Sequence, residues 1–357
     1  MLGISLYLQD LDNVSETVQT AHQNGFSSIF SSLHIPEESK IDYRARLEEL
    51  GKAAQENNMT LILDISENAL KKIQLSFENA EAIHEIGVTG LRIDYGIGIQ
   101  QIALLSQKVT VYLNASTIDQ PFLDELKEAH AHMENIEAFH NYYPKPETGL
   151  SEAFFNQKNH FLHGNGLKIS AFVPGDSQKR LPLYAGLPTL EKHRFASPYA
   201  ATLELFSLAV DHVYIGDPAL DPLHFPFWQN LAFDNTVSLE AELADFVPTP
   251  IKKHLIQGDQ NRMDDARDLI RLEKSRICFN TLLLAVRQTT SRPVGTITID
   301  NQKYGRYSGE ICITKVPLEA NEKINCIGQI KPSYLDCLPY ISAGQKIKLR
   351  FNEKSRI

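Results

Sequence analysis

LGISLYLQDLDNVSETVQTAHQNGFSSIFSSL, residues 2–33, contains the pattern that decides the fold. Its first run, Leu2–Leu8, is apolar nearly throughout, as a parallel strand buried on both faces should be. Asn13–Asn24 then shows helical periodicity and is followed by Gly25, a residue type that often ends helices. A second apolar run, Ser28–Leu33, completes the pattern. The stretch therefore predicts one strand–helix–strand unit.

Similar units repeat along the first two thirds of the chain. The predicted strands are Leu2–Leu8, Ser28–Leu33, Thr60–Ile65, Gly90–Tyr95, Val109–Asn114, Ile136–His140, Leu167–Val173 and His212–Gly216. Helical patterns lie between them at Asn13–Asn24, Asp42–Asn57, Ala80–Ile86, Ile97–Ser106, Gln120–Ala131, Glu152–Phe161 and Ser197–Ala209. Eight such units over about 235 residues predict an α/β fold with a closed TIM (β/α)8 barrel. An open doubly wound sheet is the alternative, but no GxGxxG motif follows the first strand.

A different pattern begins near residue 240. Pro248 and Pro250 suggest a linker, and the Arg-rich segment Asp259–Arg276 is either a helix reaching the barrel mouth or a segment held by salt bridges. Strand-like runs follow at Ile277–Val286, Gly295–Ile299, Gly309–Ile313, Lys323–Ile330 and Gln345–Phe351. We therefore expect a TIM-barrel domain over residues 1–240 and a small, mostly β barrel or sandwich over residues 241–357.

Composition limits the class of protein. The net charge of −9 argues against nucleic acid and anionic membranes as partners. No run of 18 apolar residues is present, and the N-terminus lacks the basic and small-residue features of a signal peptide. The four cysteines show no CxxC spacing, and the 12 histidines form no HExxH motif. We therefore expect free thiols in a cytoplasmic protein, and neither a metal nor another cofactor.

The chemistry is expected at the carboxyl ends of the strands, where TIM barrels carry their sites. Those ends are polar here: Asp64-Ile65-Ser66-Glu67, Arg92-Ile93-Asp94-Tyr95-Gly96, Asn114-Ala115-Ser116, His140-Asn141, Pro174–Arg180 and Gly216-Asp217. Paired carboxylates suit glycoside cleavage, because one can donate a proton while the other attacks or activates water. The candidates, each of which could instead cap a helix or form a salt bridge, are Asp64, Asp94, Glu147, Glu191 and Asp217.

The segment after the sixth strand, His140–Ser151, combines a histidine, an amide, two tyrosines, a lysine and a Thr-Gly turn. His140 and Asn141 could orient a sugar oxygen, or they could hold the top of the barrel together. Three cations near the strand ends could bind a phosphate, which TIM barrels often hold in the loops after strands seven and eight, or they could be solvated. These cations are Lys145, Lys179 and Arg180.

These motifs resemble those of the bacterial 6-phospho-N-acetylmuramidase family. The similar pieces are Leu2–Tyr7, Leu63–Ile65, Leu91–Gly96, Leu113–Ser116, His140–Pro144, Thr148–Leu150, Gly186–Arg194, Ile215–Asp217, Ile299–Asn301 and Tyr304–Glu310. The resemblance covers the whole chain, although Leu181 stands where the family favours a glycine. It implies a TIM barrel followed by a cyclophilin-like β barrel. It also implies cytoplasmic hydrolysis of N-acetylmuramic acid 6-phosphate linked to N-acetylglucosamine, during cell-wall recycling.

The resemblance gives most weight to the residues inside its motifs. We expect Asp94 and Glu191 to be the acid and the base or nucleophile, with Asp64 as the third catalytic candidate. We expect substrate binding by Asn114, His140, Asn141, Tyr143, Thr148, His193, Arg194 and Asp217, and phosphate binding by Arg180 and Lys145. The expected partner is a phosphorylated disaccharide. The alternatives are a non-catalytic sugar-phosphate binding protein or another TIM-barrel enzyme that processes phosphosugars.

Overall fold

A computed structural model describes residues 1–9, 11–33, 42–65, 80–93 and 96–351. The predicted catalytic residue Asp94 lies outside these residues, as does the end of the predicted fourth strand. The chain divides into two compact units, Met1–Phe225 and Pro226–Ile357.

The first unit is built on a closed parallel barrel of eight strands. In chain order they are β1 (Leu2–Ser5), β2 (Ser28–Ser32), β3 (Thr60–Ile65), β4 (Gly90–Ile93), β5 (Thr110–Asn114), β6 (Ile136–Phe139), β7 (Ile169–Val173) and β8 (His212–Ile215). Each strand pairs with its neighbours in sequence, and β1 also pairs with β8, which closes the barrel. The predicted TIM-type barrel is confirmed.

Helices connect these strands in the described part of the unit. They are α1 (Val14–Gln23), α2 (Tyr43–Glu56), α3 (Ala80–Glu85), α4 (Ile99–Ser106), α5 (Gln120–Glu128), α6 (Glu152–Gly164) and α7 (Pro198–Ser207), with 3₁₀ turns at Met133–Asn135, Glu191–His193 and Pro222–His224. Polar caps set helix starts: the Asn13 side chain accepts a hydrogen bond from the Glu16 amide, and Ser151 accepts one from the Phe154 amide. Gly25 follows α1 with a φ of 90°, a conformation that glycine adopts without strain.

Aromatic side chains fill the barrel interior. The interior cluster contains Tyr7, Phe30, Ile62, Tyr112, Phe139, Phe172, Leu187 and Tyr214. Phe139 stacks on Phe172 with ring centroids 4.7 Å apart. Tyr214 occupies the space beside Gly3, where any Cβ would come within 2.2 Å of the tyrosine ring. We call this cluster the aromatic floor. Because side chains alternate along a strand, a residue two positions after a floor residue also faces the barrel interior, nearer its open, carboxyl end.

The second unit is a nearly closed sheet of seven strands. They are β9 (Thr236–Leu243), β10 (Asp259–Gln260), β11 (Leu269–Arg271), β12 (Thr296–Asp300), β13 (Ile311–Thr314), β14 (Ile324–Ile330) and β15 (Lys346–Phe351), in the spatial order β10-β15-β9-β14-β12-β13-β11. A bridge between Asn261 and Leu272 links the two edges. The helical segments are α8 (Phe225–Asp234), α9 (Thr249–Gln257), α10 (Ser275–Phe279), Gln302–Tyr307 and Pro332–Tyr340. The expected second, mostly β barrel is confirmed.

Several details of the second unit differ from the sequence-based expectation. The Arg-rich segment Asp259–Arg276 is not one helix, because it contains β10 and β11; its arginines Arg262, Arg267 and Arg271 form salt bridges. Ile277–Val286 begins inside α10 and is not a strand. Pro248 and Pro250 do not form a linker: they start α9, where a missing backbone N–H is tolerated. The domain boundary expected after residue 240 falls inside β9.

Candidate active site

Polar side chains line the inner face of the barrel just beyond its aromatic floor. Ser32, Asp64 and Asn114 each lie two residues beyond an interior residue of their strand, so they face the same way. Arg92 on β4 is in register with Asp64 on β3. Asn141 lies two residues beyond Phe139 of the floor. The structure thus brings Asp64, Asn114 and Asn141, three of the predicted site residues, to the open end of the barrel.

A buried ion pair anchors this rim. Asp64 and Arg92 are each only 4% exposed, and Arg92 Nη1 donates to Asp64 Oδ1 over 2.7 Å. Arg92 Nη2 donates to the Asn141 side-chain oxygen, and Ser32 Oγ lies 3.3 Å from the second Asp64 oxygen. Removing one partner of such a pair would leave an uncompensated charge in a dry environment, so the pair holds both groups in place.

Arg180 approaches the same opening from the loop after β7. Its guanidinium carbon lies 3.6 Å from the centroid of the Tyr7 ring, and Nη1 donates to the Tyr142 hydroxyl over 2.8 Å. Burial raises the pKa of Tyr142, so this hydroxyl stays protonated at neutral pH. In the part of the chain that the structure describes, no carboxylate forms an ion pair with Arg180. The guanidinium therefore keeps donors available for an anion.

Asp217 fixes the backbone that carries Arg180. Its carboxylate is fully buried, and Oδ1 accepts from the Arg180 amide over 3.0 Å. The other oxygen accepts from the amides of Gly175 (2.9 Å) and Leu187 (3.2 Å). Lys179 Nζ lies 3.6 Å from this second oxygen. These contacts place Asp217 under the loop and not at the barrel opening, where its predicted contact with substrate would require it.

Glu191 engages both of its carboxylate oxygens with neighbouring groups. Oε1 accepts from the Glu147 amide over 2.8 Å and from Arg194 Nε over 2.6 Å. Oε2 accepts from the Gly149 amide over 2.7 Å and from Arg194 Nη2 over 2.6 Å. The Arg194 hydrogen bonds, with those from the two amides, hold the pKa of Glu191 down to about 2. Glu191 is therefore ionised at neutral pH and cannot donate a proton there.

Arg194 extends this arrangement to a second loop. Its side chain is only 1% exposed, and Nη2 also donates to the carbonyl oxygens of Tyr143 (3.0 Å) and Lys145 (3.2 Å) after β6. Nη1 donates to the carbonyl of Gly186 over 3.2 Å, which lies after β7. We call Glu191 and Arg194 the loop clamp. Gly149 is required beside it, because a Cβ there would lie 2.6 Å from Glu191 Oε2.

Two predicted histidines face helices and not the barrel opening. His140 is fully buried, with Nε2 2.8 Å from the Asn159 side-chain oxygen and its ring against Phe155, both on α6. Burial lowers the pKa of His140 to about 4, so the ring is neutral at pH 7. His193 is 1% exposed and lies 2.7 Å from the carboxylate of Glu204 on α7. The structure does not bring either ring to the rim.

The remaining predicted residues lie in the loop after β6. Tyr143 donates its amide to the Pro188 carbonyl over 2.9 Å, and Thr148 Oγ1 donates to the Lys145 carbonyl over 2.6 Å. Lys145 is exposed, and its ammonium pairs with no carboxylate of the described chain. Its side chain is therefore available as a second cation, whereas Tyr143 and Thr148 contribute mainly to the shape of the loop.

Tyr7, Arg92 and Tyr142 contribute more to the site than the sequence indicated. In the sequence Arg92 stands only as part of a polar strand end and Tyr142 only as one of the two tyrosines of His140–Ser151. Two features of the sequence could have indicated the roles of Arg92 and Tyr7. A cation stands within an apolar strand, and Tyr7 has the same strand parity as Gly3, which faces the barrel interior.

No group of three or more metal-ligating side chains occurs within residues 1–9, 11–33, 42–65, 80–93 and 96–351. In the same residues no helix combines the length and apolar character needed to cross a membrane.

Comparison with known proteins identifies the family. Residues 2–224 match "6-phospho-N-acetylmuramidase, N-terminal", and residues 237–350 match "6-phospho-N-acetylmuramidase, C-terminal". The crystal structure of a conserved Enterococcus faecalis protein of unknown function is 42% identical, with a TM-score of 0.86 over 99% of this chain and 97% of that one. An uncharacterized B. cereus protein shares the fold at 24% identity and a TM-score of 0.78, over 98% of this chain and 99% of its own. No match was found among curated proteins.

The two family matches together span nearly all of both units described above. Their common description names a glycoside hydrolase, which agrees with a TIM-type barrel whose open end carries the carboxylate of Asp64 and the cations of Arg92 and Arg180. The chain belongs to the 6-phospho-N-acetylmuramidase family.

Proposed function

We propose that the protein hydrolyses the bond between N-acetylmuramic acid 6-phosphate and N-acetylglucosamine. The observation that carries this proposal is Arg180, which stacks on Tyr7 beside the barrel opening without a carboxylate partner among the described residues. A guanidinium can bind a phosphate through two parallel hydrogen bonds, and such hydrogen bonds are strong where water is partly excluded. Lys145 would supply a second, exposed cation.

The aromatic floor supports a sugar substrate. Tyr142 presents its hydroxyl to Arg180 and its ring edge to Phe172, with centroids 5.0 Å apart. Asn114 and Asn141 at the same rim present amide N–H donors to the oxygens of hydroxyl and acetamido groups, since their own oxygens accept from the Ser116 amide and from Arg92. Together they suit a polar ring that bears one strongly anionic substituent.

We assign the chemistry to Asp94 and Asp64. The reaction needs one carboxyl group that is protonated and one that is ionised. Glu191, which the sequence favoured as one of the pair, has a pKa of about 2 and four hydrogen bonds, so it cannot be the acid and has little freedom to attack a sugar. Asp64 faces the barrel opening and is paired with a cation, as suits the ionised partner. Asp94, two positions after Arg92 in the next strand-end motif of the sequence, is the proposed acid.

The acid would protonate the leaving oxygen of N-acetylglucosamine as its bond to the anomeric carbon breaks. The ionised partner would either activate a water that attacks this carbon, or attack the carbon itself to form a glycosyl-enzyme that water then hydrolyses. The loop clamp would hold the walls after β6 and β7 in position and would not touch the reacting atoms. We place the reaction in the cytoplasm during cell-wall recycling. The free thiols of Cys278, Cys312, Cys326 and Cys337 support a reducing compartment.

The direct test is incubation with phosphorylated and unphosphorylated disaccharide, followed by mass spectrometry of the products. We expect release of N-acetylmuramic acid 6-phosphate and N-acetylglucosamine, with little product from the unphosphorylated substrate. Tight binding of the phosphorylated disaccharide without any product would instead identify a sugar-phosphate binding protein and would overturn the proposal.

A further inference from the structure

The second unit contains a cavity of about 180 Å³ at one end of its sheet. Ile299 of β12 and Ile327 of β14 form its inner wall, Ile251 of α9 forms a side, and Leu284 belongs to the coil segment that covers it. These four side chains are all buried. The mouth of a β barrel, lined by apolar side chains with few polar groups, is a common place for small-ligand sites.

The two polar side chains at this cavity, Asn325 and Arg287, differ in how many of their hydrogen-bonding groups already have a protein partner. Asn325 contributes an amide, but its oxygen already accepts from the Arg287 backbone and from Asn301, both over 2.9 Å. Its nitrogen donates to the Ala285 carbonyl over 2.8 Å. The Asn325 side chain is therefore committed to holding the coil segment, and it has little capacity left for a ligand.

Arg287 is the charged group of the lining. Its guanidinium carbon lies 5.5 Å from the centroid of the Phe246 ring, which also lines the cavity. The side chain makes no ion pair or side-chain hydrogen bond with any residue that the structure describes. Arg287 is exposed, so a solvated cation with unused donors stands at the edge of a half-open pocket, and the Phe246 ring orients it.

We propose that this cavity binds a small carboxylate with a compact apolar body, either aromatic or branched. The volume decides the size, since an apolar cavity of about 150 Å³ can hold a benzene ring. The buried inner walls decide the polarity of the ligand body, because a strongly hydrated group placed against Ile299 and Ile327 would lose its water without gaining a partner. The guanidinium decides the charge, because its fork matches one carboxylate bidentately. The proposal concerns the second unit and is independent of the glycosidase chemistry.

Isothermal titration calorimetry on the full chain tests the proposal with two acids, benzoate and isobutyrate, and their neutral amides, benzamide and isobutyramide. We expect at least one acid to bind saturably and its amide to bind about tenfold more weakly or worse, the difference that a charge-assisted hydrogen bond makes. Arg287→Gln should weaken binding of the acid by a similar factor. Arg306→Gln, an exposed arginine of the same unit that does not line the cavity, is the matched control and should bind as the wild type does.

A second variant tests the cavity without changing a charge. Ala285 is exposed and lines the cavity, and its contact with Asn325 uses only the backbone carbonyl, so Ala285→Phe should fold normally and block the space. It should abolish binding of the acid. Absence of saturable binding of both acids would overturn the proposal. So would an amide that binds as tightly as its acid, or unchanged binding in Arg287→Gln or Ala285→Phe.

Discussion

Replacing Glu191 by Gln tests the loop clamp directly. The carboxylate accepts four hydrogen bonds, two from Arg194 and one each from the amides of Glu147 and Gly149. Glutamine has the same shape, but it keeps only one acceptor oxygen. Its amide group would point at donors, and Arg194, with a side chain only 1% exposed, would lose its counter-charge. We therefore expect a less stable protein without any change in volume.

The size of the effect follows from the ionisation of Glu191. A fall in its pKa from 4.5 to about 2 corresponds to roughly 3 kcal/mol in favour of the folded state at neutral pH. Because 32% of the side chain is exposed, screening by solvent reduces this to about 2 kcal/mol. This figure already includes the loss of the charged partner of Arg194, because the Arg194 hydrogen bonds are the largest cause of the lowered pKa of Glu191. The expected loss in the free energy of unfolding is therefore about 2 kcal/mol.

The pH dependence has a definite sign. The pKa of Glu191 is lower in the folded than in the unfolded chain, so its stabilisation is complete above pH 4.5 and is lost as the pH falls toward 2. Urea denaturation, followed by circular dichroism at several pH values, measures the difference between wild type and Glu191→Gln. That difference should be constant from about pH 6 to 8 and should shrink below about pH 4.5. Hydrogen exchange at the Glu147 and Gly149 amides, which should become faster in the variant, provides a local readout.

Glu152→Gln is the matched control. This carboxylate forms an ion pair with Lys192 over 2.6 Å, but the two side chains are 46% and 40% exposed. Its loss should cost less than about 1 kcal/mol. The clamp would be refuted if Glu191→Gln were as stable as Glu152→Gln at pH 7. A stability difference that stayed the same down to pH 3 would also contradict it.

Three further predictions concern the barrel. Asp64→Asn should lower kcat by at least about a hundredfold, because Arg92 loses its ion partner and the ionised carboxylate is removed; unchanged kcat would exclude this role. Arg180→Gln should raise KM for the phosphorylated disaccharide about tenfold or more while the unphosphorylated substrate is little affected, with Arg46→Gln on the surface of α2 as the control. His140→Gln should remove a pH-dependent part of the free energy of unfolding. Because the pKa of His140 is lowered to about 4 in the folded chain, the wild type should lose up to about 3 kcal/mol of stability as the pH falls from 6.5 to 4. Urea titrations at both pH values should show a smaller loss in the variant.

The barrel was predictable from its strands because both faces of each are buried. Short runs of apolar and small residues such as Ser28–Leu33 and Thr60–Ile65 leave strong signals, and glycines such as Gly25 mark the helix ends. The second unit was harder to predict. Its first strand, Thr236–Leu243, alternates polar and apolar residues, but its pairing partner Lys346–Phe351 lies about a hundred positions away in the sequence. Long-range pairing of this kind is not visible in local periodicity.

The site was predictable in outline and not in detail. Strand ends pointed to Asp64 and Asn141 because parity and position are local properties of the sequence. The alternation of side chains along the strand did not show whether the His140 ring points to the barrel opening or to a helix. Its orientation depends on the hydrogen bond with Asn159 on α6, which the local sequence does not reveal. The role of Glu191 depended on the backbone amides of a loop more than 40 residues away, and sequence types do not reveal backbone donors.

We propose that the barrel selects and cleaves a 6-phosphorylated muramyl disaccharide. The most direct measurement is kcat/KM of the wild-type protein for N-acetylmuramic acid 6-phosphate–N-acetylglucosamine and for the same disaccharide without phosphate. Arg180 would form charge-assisted hydrogen bonds with the phosphate where water is partly excluded. We therefore expect kcat/KM to be about a hundredfold or more higher for the phosphorylated substrate. Equal values of kcat/KM for the two substrates, or no cleavage of either, would contradict the account.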